Sequence, residues 1–291
     1  MKKFYVLLFG VFISLIFVSC KKDSPIEVVP PTPYEQADGI RGGILYDEFW
    51  STEANYSKKS DTVQVSKFKS HSDFFRCKQC HAWDLMGQSG SYINRGPKTT
   101  RPNVAVVNLS VLVKTKTEQE LFDAIKTGSV TRRDISYDLA TYNPTSNATI
   151  GDQMPKYSQI LSDVEIWDLV KFFKKEVNDI TQLYDATYTG TYPTGKAAFS
   201  NIGKDGNAAN GKTYFTSKCS VCHGADGKFI PDLDGTTGMT AGKFIRTKSN
   251  EAQHKIKFGQ LGTGMTAFKS TPQEMKDLYK ALSDTLTFPN N

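Results

Sequence analysis

The stretch "FFRCKQCHAWD", residues 74–84, decides how this chain is read. Cys77 and Cys80 stand three apart, and His81 follows directly. A second copy, "SKCSVCHGADG" at 217–227, repeats the pattern with Cys219, Cys222 and His223. Two cysteines at this spacing on one turn can reach the two vinyl groups of a haem and close thioether bonds. The next residue then points its imidazole at the iron from the same side. Zinc sites and redox dithiols also use CxxC. A zinc site would have to join pairs far apart in the chain, and neither alternative needs a histidine behind each pair.

The N-terminus bears on where this chemistry happens. Lys2 and Lys3 precede the apolar run "FYVLLFGVFISLIFV", which has the layout of an export leader. The run ends in "FVSC", which resembles a bacterial lipoprotein processing site. That resemblance implies a signal peptide over 1–19, a lipid on Cys20 and an exported chain anchored to a cell-envelope membrane, periplasmic or at the cell surface. An uncleaved anchor or an ordinary secretory leader is the alternative. "KKDSPIEVVPPTPYEQ" then reads as an extended tether, residues 20–35. No later run is apolar enough to span a membrane. With Cys20 lipidated, the other four of the five cysteines all fall in the two CxxCH motifs. A length of 291 residues accommodates two domains. The net charge of +6 is mild, and no basic block points to nucleic acid.

The two halves repeat each other. Gly43-x-x-Tyr46 aligns with Gly211-x-x-Tyr214, ahead of each CxxCH. "EQELFDAIKTG" and "NEAQHKIKFG" are amphipathic segments ending in Gly128 and Gly259, where a left-handed cap is wanted. Each half then has a methionine, Met154 or Met265. A last helix follows, opened by the capping boxes Ser162/Glu165 and Thr271/Glu274. Apolar residues recur there at helical spacing: Ile166, Leu169 and Val170, then Met275, Leu278 and Leu282. The first half has long insertions and the second is compact. The segment between them, rich in Gly, Thr and Tyr, shows no helical period.

The motifs and their order resemble the c-type cytochromes, as two class I-like domains in tandem. "FFRCKQCHAWD", with "GQSGSY" after it and "DGIRGGILYDEFW" before it, is similar to a subgroup of bacterial c-type cytochromes. The resemblance implies an all-α fold: domain 1 at 36–180, a linker at 181–206 and domain 2 at 207–291. It places Gly43 and Gly211 where the first and last helices of each domain cross. It implies two haem c groups, attached at Cys77, Cys80, Cys219 and Cys222. The iron ligands would be His81 with Met154 and His223 with Met265. Met239 stays open as a rival to Met265, and His71 as a rival to Met154. Met275 and the tryptophans Trp83 and Trp167 read as core, and His254 as a surface or haem-edge residue. The lysines of "GKFIRTK" and "HKIKFG" read either as a ring around a haem edge or as scattered solvated charge. The implied activity is single-electron transfer between redox protein partners, without catalysis. A di-haem peroxidase-type enzyme and a cytochrome subunit of a larger oxidoreductase complex are the alternatives.

Overall fold

The computed structural model describes residues 30–98, 100–101, 103–128, 132–143 and 154–291. The leader, Cys20 and most of the tether lie outside the described residues, as does much of the turn-rich loop before Met154. Thr32–Asn291 form one compact unit.

The N-terminal half is built on helix α1, Gly39–Glu48, capped by the Asp38 carboxylate. The first CxxCH forms α2, Cys77–His81. Next come α3, Glu118–Lys126, and α4, Asp163–Lys171, whose capping boxes at Thr117/Glu120 and Ser162/Glu165 form as expected. The C-terminal half has α5, Ala208–Lys218, and the second CxxCH in α6, Ser220–His223. It closes with α7, Ser249–Phe258, and α8, Pro272–Leu282, the latter opened by the Thr271/Glu274 box.

The same joint is made in both halves. At Gly42 a side chain would collide with the Asp168 carbonyl of α4, so α1 and α4 touch backbone to backbone. At Gly211 a side chain would collide with the Asp277 carbonyl of α8. Each aspartate also clamps the start of the opposing helix. The Asp38 N–H donates to Asp168 Oδ1 at 2.7 Å, and the Asn207 N–H donates to Asp277 Oδ1 at 2.7 Å. The N-terminal crossing residue is therefore Gly42, not Gly43. Gly43 faces the other way, against the Phe258 ring of α7. Two adjacent glycines let the sequence alignment slip by one. In the corrected register Tyr46 answers to Phe215, and both are buried.

The segment at 181–206 lies between the two halves. It holds an antiparallel hairpin, β1 Asp185–Thr189 and β2 Lys196–Ser200. The fold is mostly helical, but it is not free of strands. Inward and outward residues alternate over five-residue strands, too short a run to stand out among the surrounding Thr and Gly. The hairpin packs on the chain that follows α2. Tyr188 donates its hydroxyl hydrogen to Asp84 Oδ2 at 3.1 Å, and the Val104 N–H donates to the Tyr192 hydroxyl at 3.3 Å.

The two halves meet along α7. His254 is 2% exposed, so it is not a surface residue. Its ring lies 4.6 Å from Trp83, 4.6 Å from Phe258 and 6.0 Å from Tyr46, centroid to centroid. Two lysines of "HKIKFG" are also buried here. Lys255 pairs with Asp47 at 2.7 Å, and Lys257 pairs with Glu176 at 3.1 Å. Burial alone would raise the Asp47 carboxyl, but Lys255 and Arg76 together hold it well below the usual carboxylate range.

Two outcomes follow from this packing. Gly42→Ala and Gly211→Ala should each cost about 1–3 kcal/mol in urea unfolding. Gly264→Ala, with nothing within 4 Å of a new Cβ, should be near neutral. Equal midpoints for all three would contradict the crossing. The second outcome concerns acid. Burial lowers His254 to about 3, whereas a histidine in an unfolded chain titrates near ~6.5. Between those values the unfolded chain takes up a proton that the folded chain refuses. The His254 contribution is therefore complete above the upper value and is lost as pH falls toward the lower one. His254→Gln should flatten the acid limb of a stability-versus-pH curve, and an unchanged slope would contradict this.

Candidate haem sites

The first CxxCH turn is held from both ends by tyrosines. Tyr157 donates to the Phe75 carbonyl at 2.8 Å, just before α2. Tyr46 donates to the Ala82 carbonyl at 2.6 Å, just after it. The Ala105 N–H donates to the Cys80 carbonyl at 3.0 Å. Ala82 adopts φ 65° and ψ 169°, and Gly224 behind the second His adopts φ 78° and ψ 165°. That region is nearly exclusive to glycine and costs an alanine about 1–3 kcal/mol. The Tyr46 bond and the packing of Ala82 with Trp83, Tyr92 and Val104 hold it there. The sequence reading missed Tyr157 and this turn. The one available signal was that Ala82 and Gly224 occupy equivalent places.

Cys77 and Met154 both pack against the same N-terminal core. The Cys77 Sγ lies 3.6 Å from the Tyr157 hydroxyl. His81 is buried, and burial lowers it to about 4, with Arg132 adding to the shift. His71 sits where the helices Thr62–Ser70 and Ser72–Phe75 meet, half-buried, with Nδ1 unpaired.

In the C-terminal half the candidate residues converge. A cavity of about 540 Å³ is lined by Cys219, Cys222, His223 and Met265, with apolar walls that include Phe215 and Leu278. Helix α5 supplies Phe215 and leads into Cys219, and α8 supplies Leu278, so the Gly211 joint sets the cavity's width. Gly259 after α7 turns the chain at φ 89° into the loop that carries Met265. Met239 is elsewhere. It is buried, accepts a hydrogen bond from the Thr247 hydroxyl at 3.7 Å, and is not among the cavity's lining residues.

The donor set fits a covalently attached haem. None of Cys77, Cys80, Cys219 and Cys222 forms a disulfide. Burial raises the Cys77 and Cys219 thiols to about 11, so both are neutral thiols in the free protein. Burial also lowers His223, which keeps its imidazole neutral. Nδ1 of His81 and Nδ1 of His223 are sealed from solvent and unpaired, so no hydrogen bond there commits either ring to the protein. No group of three or more His, Cys, Asp or Glu side chains among the described residues is arranged to hold a bare metal ion.

Residues 208–283 match the Cytochrome c family. The match contains Cys219, Cys222, His223 and Met265 but not the first motif. It supports a c-type cytochrome, with covalently bound haem c and electron transfer as its general activity. No curated protein and no solved structure matches the chain. No helix among the described residues is long and apolar enough to cross a membrane.

Proposed function

We propose that this chain is a di-haem c-type cytochrome that carries single electrons between redox partners outside the cytoplasm. The observation that supports this most strongly is the cavity that draws Cys219, Cys222, His223 and Met265 together between apolar walls. The two cysteines would hold a porphyrin there by thioether bonds, and His223 and Met265 would supply a nitrogen and a sulfur to its iron. A thioether opposite an imidazole favours the reduced iron and raises the potential. The protein's own part is to keep His223 neutral, exclude water with Phe215 and Leu278, and hold the Met265 loop.

The N-terminal half repeats the pattern with Cys77, Cys80, His81 and Met154, and the shared helix joint is the structural support for reading it as a second haem domain. Domains at 36–180 and 207–291 belong to this proposal. So do a leader at 1–19 and a lipid on Cys20, which would anchor the protein to a cell-envelope membrane. Transient redox protein partners, rather than a chemical substrate, complete the reading. An enzyme of the di-haem peroxidase type would need one iron open or easily opened.

Spectroscopy of the purified holoprotein tests the ligands. The ferric form should show a thioether-to-iron charge-transfer band that halves in Met154→Ala and again in Met265→Ala. Met239→Ala should leave it intact. Reduced wild-type protein should not bind carbon monoxide. A full band in Met265→Ala, or carbon monoxide binding by the wild type, would overturn the assignment.

A further inference from the structure

Helix α7 is a wall shared by the two halves. On one side Glu251, Ala252, Lys255 and Ile256 line the C-terminal cavity. On the other, Gln253, His254 and Phe258 pack into the N-terminal half. One helix with its side chains is about 10–12 Å thick, so little separates the cavity from what lies behind it. What lies behind it is Trp83, two residues beyond His81. The Lys255 Nζ sits 4.6 Å from the centre of the Trp83 ring. The Trp83 and His254 rings are 4.6 Å apart, and Gln253 Nε2 donates to the Trp83 carbonyl at 2.9 Å. Lys255 thus runs from the cavity lining to the indole face, and the indole is bonded through Ala82 to His81.

We propose that Trp83, with Lys255 packed on it, is the contact through which an electron crosses between the C-terminal cavity and the site at His81. This rests on the two-haem reading above. Electronic coupling falls off more slowly through bonded and closely packed atoms than across empty space. The indole provides a broad π-system against the helix that lines the cavity. The step moves one electron: ferrous iron on one side becomes ferric, ferric iron on the other becomes ferrous, and no bond or proton changes place. The contact is also held rigidly. Lys255 is tied to Asp47 at 2.7 Å, and Phe258 fills the space that Gly43 leaves open. The C-terminal site is the more accessible entry, since Cys222 is exposed and Val221 is 88% exposed. Trp83 is 4% exposed and lies inside the joint. Trp83 is a positioning and relay residue in this scheme, not a ligand.

The test uses the full-length holoprotein as wild type, Trp83→Phe and Trp83→Leu. A flavin semiquinone generated by a light flash delivers less than one electron per chain. Redistribution between the two haems is then followed by absorbance, at several protein concentrations. Haem content and both midpoint potentials are measured on the same samples. The expected result is two haems throughout, with a concentration-independent phase that, after allowance for the potentials measured in each variant, slows by an order of magnitude in Trp83→Leu. Trp83→Phe should recover part of that rate, and it carries the test if the leucine variant does not fold. Two haems with an internal rate unchanged in Trp83→Leu, or in Trp83→Phe where only that variant folds, would overturn the relay alone. A single haem per chain would overturn the two-haem reading and the relay together.

Discussion

Backbone contact between two helices, made once in each half, is the constraint on which the rest of the structure depends. Gly42 against Asp168 and Gly211 against Asp277 leave no room for a side chain, and each aspartate carboxylate also accepts from the N–H of the residue that caps the opposing helix, Asp38 or Asn207. In the C-terminal half this joint sets how far Phe215 stands from Leu278, and therefore how wide the cavity is. In the N-terminal half it places Tyr46, which fixes the turn after His81. The site geometry in both halves follows from the absence of two side chains.

The halves do not sit as independent beads. Helix α7 carries buried charge into the joint, where Lys255 meets Asp47 and Lys257 meets Glu176. Removing one partner of a buried pair leaves the other charged and unsolvated, a strongly destabilising change. Such pairs define one docking geometry more sharply than apolar contact does, and here they fix the distance across the wall. The hairpin β1–β2 adds Tyr188 and Tyr192 to the same side of the N-terminal half.

Much of this was legible in the sequence. The capping boxes at Thr117, Ser162 and Thr271 marked helix starts to the residue, because capping chemistry is local. The CxxCH pairs and the Met265 loop were visible as spacing, and the structure gathers Cys219, Cys222, His223 and Met265 into one cavity. What escaped was non-local. Gly42 and Gly43 are interchangeable until a partner helix chooses between them. His254 read as a surface or haem-edge residue, and Lys255 and Lys257 as haem-edge or solvated charge, because nothing near them in sequence announces Asp47 or Glu176. The hairpin strands alternate too briefly to outweigh their Thr- and Gly-rich surroundings.

The most direct test of the central claim is mass spectrometry of proteolytic peptides from the mature protein, made in a host that installs haem c. The account requires that the peptide containing Cys77 and Cys80 and the peptide containing Cys219 and Cys222 each carry one haem by two thioether bonds. Recovery of either peptide with both thiols free would contradict it.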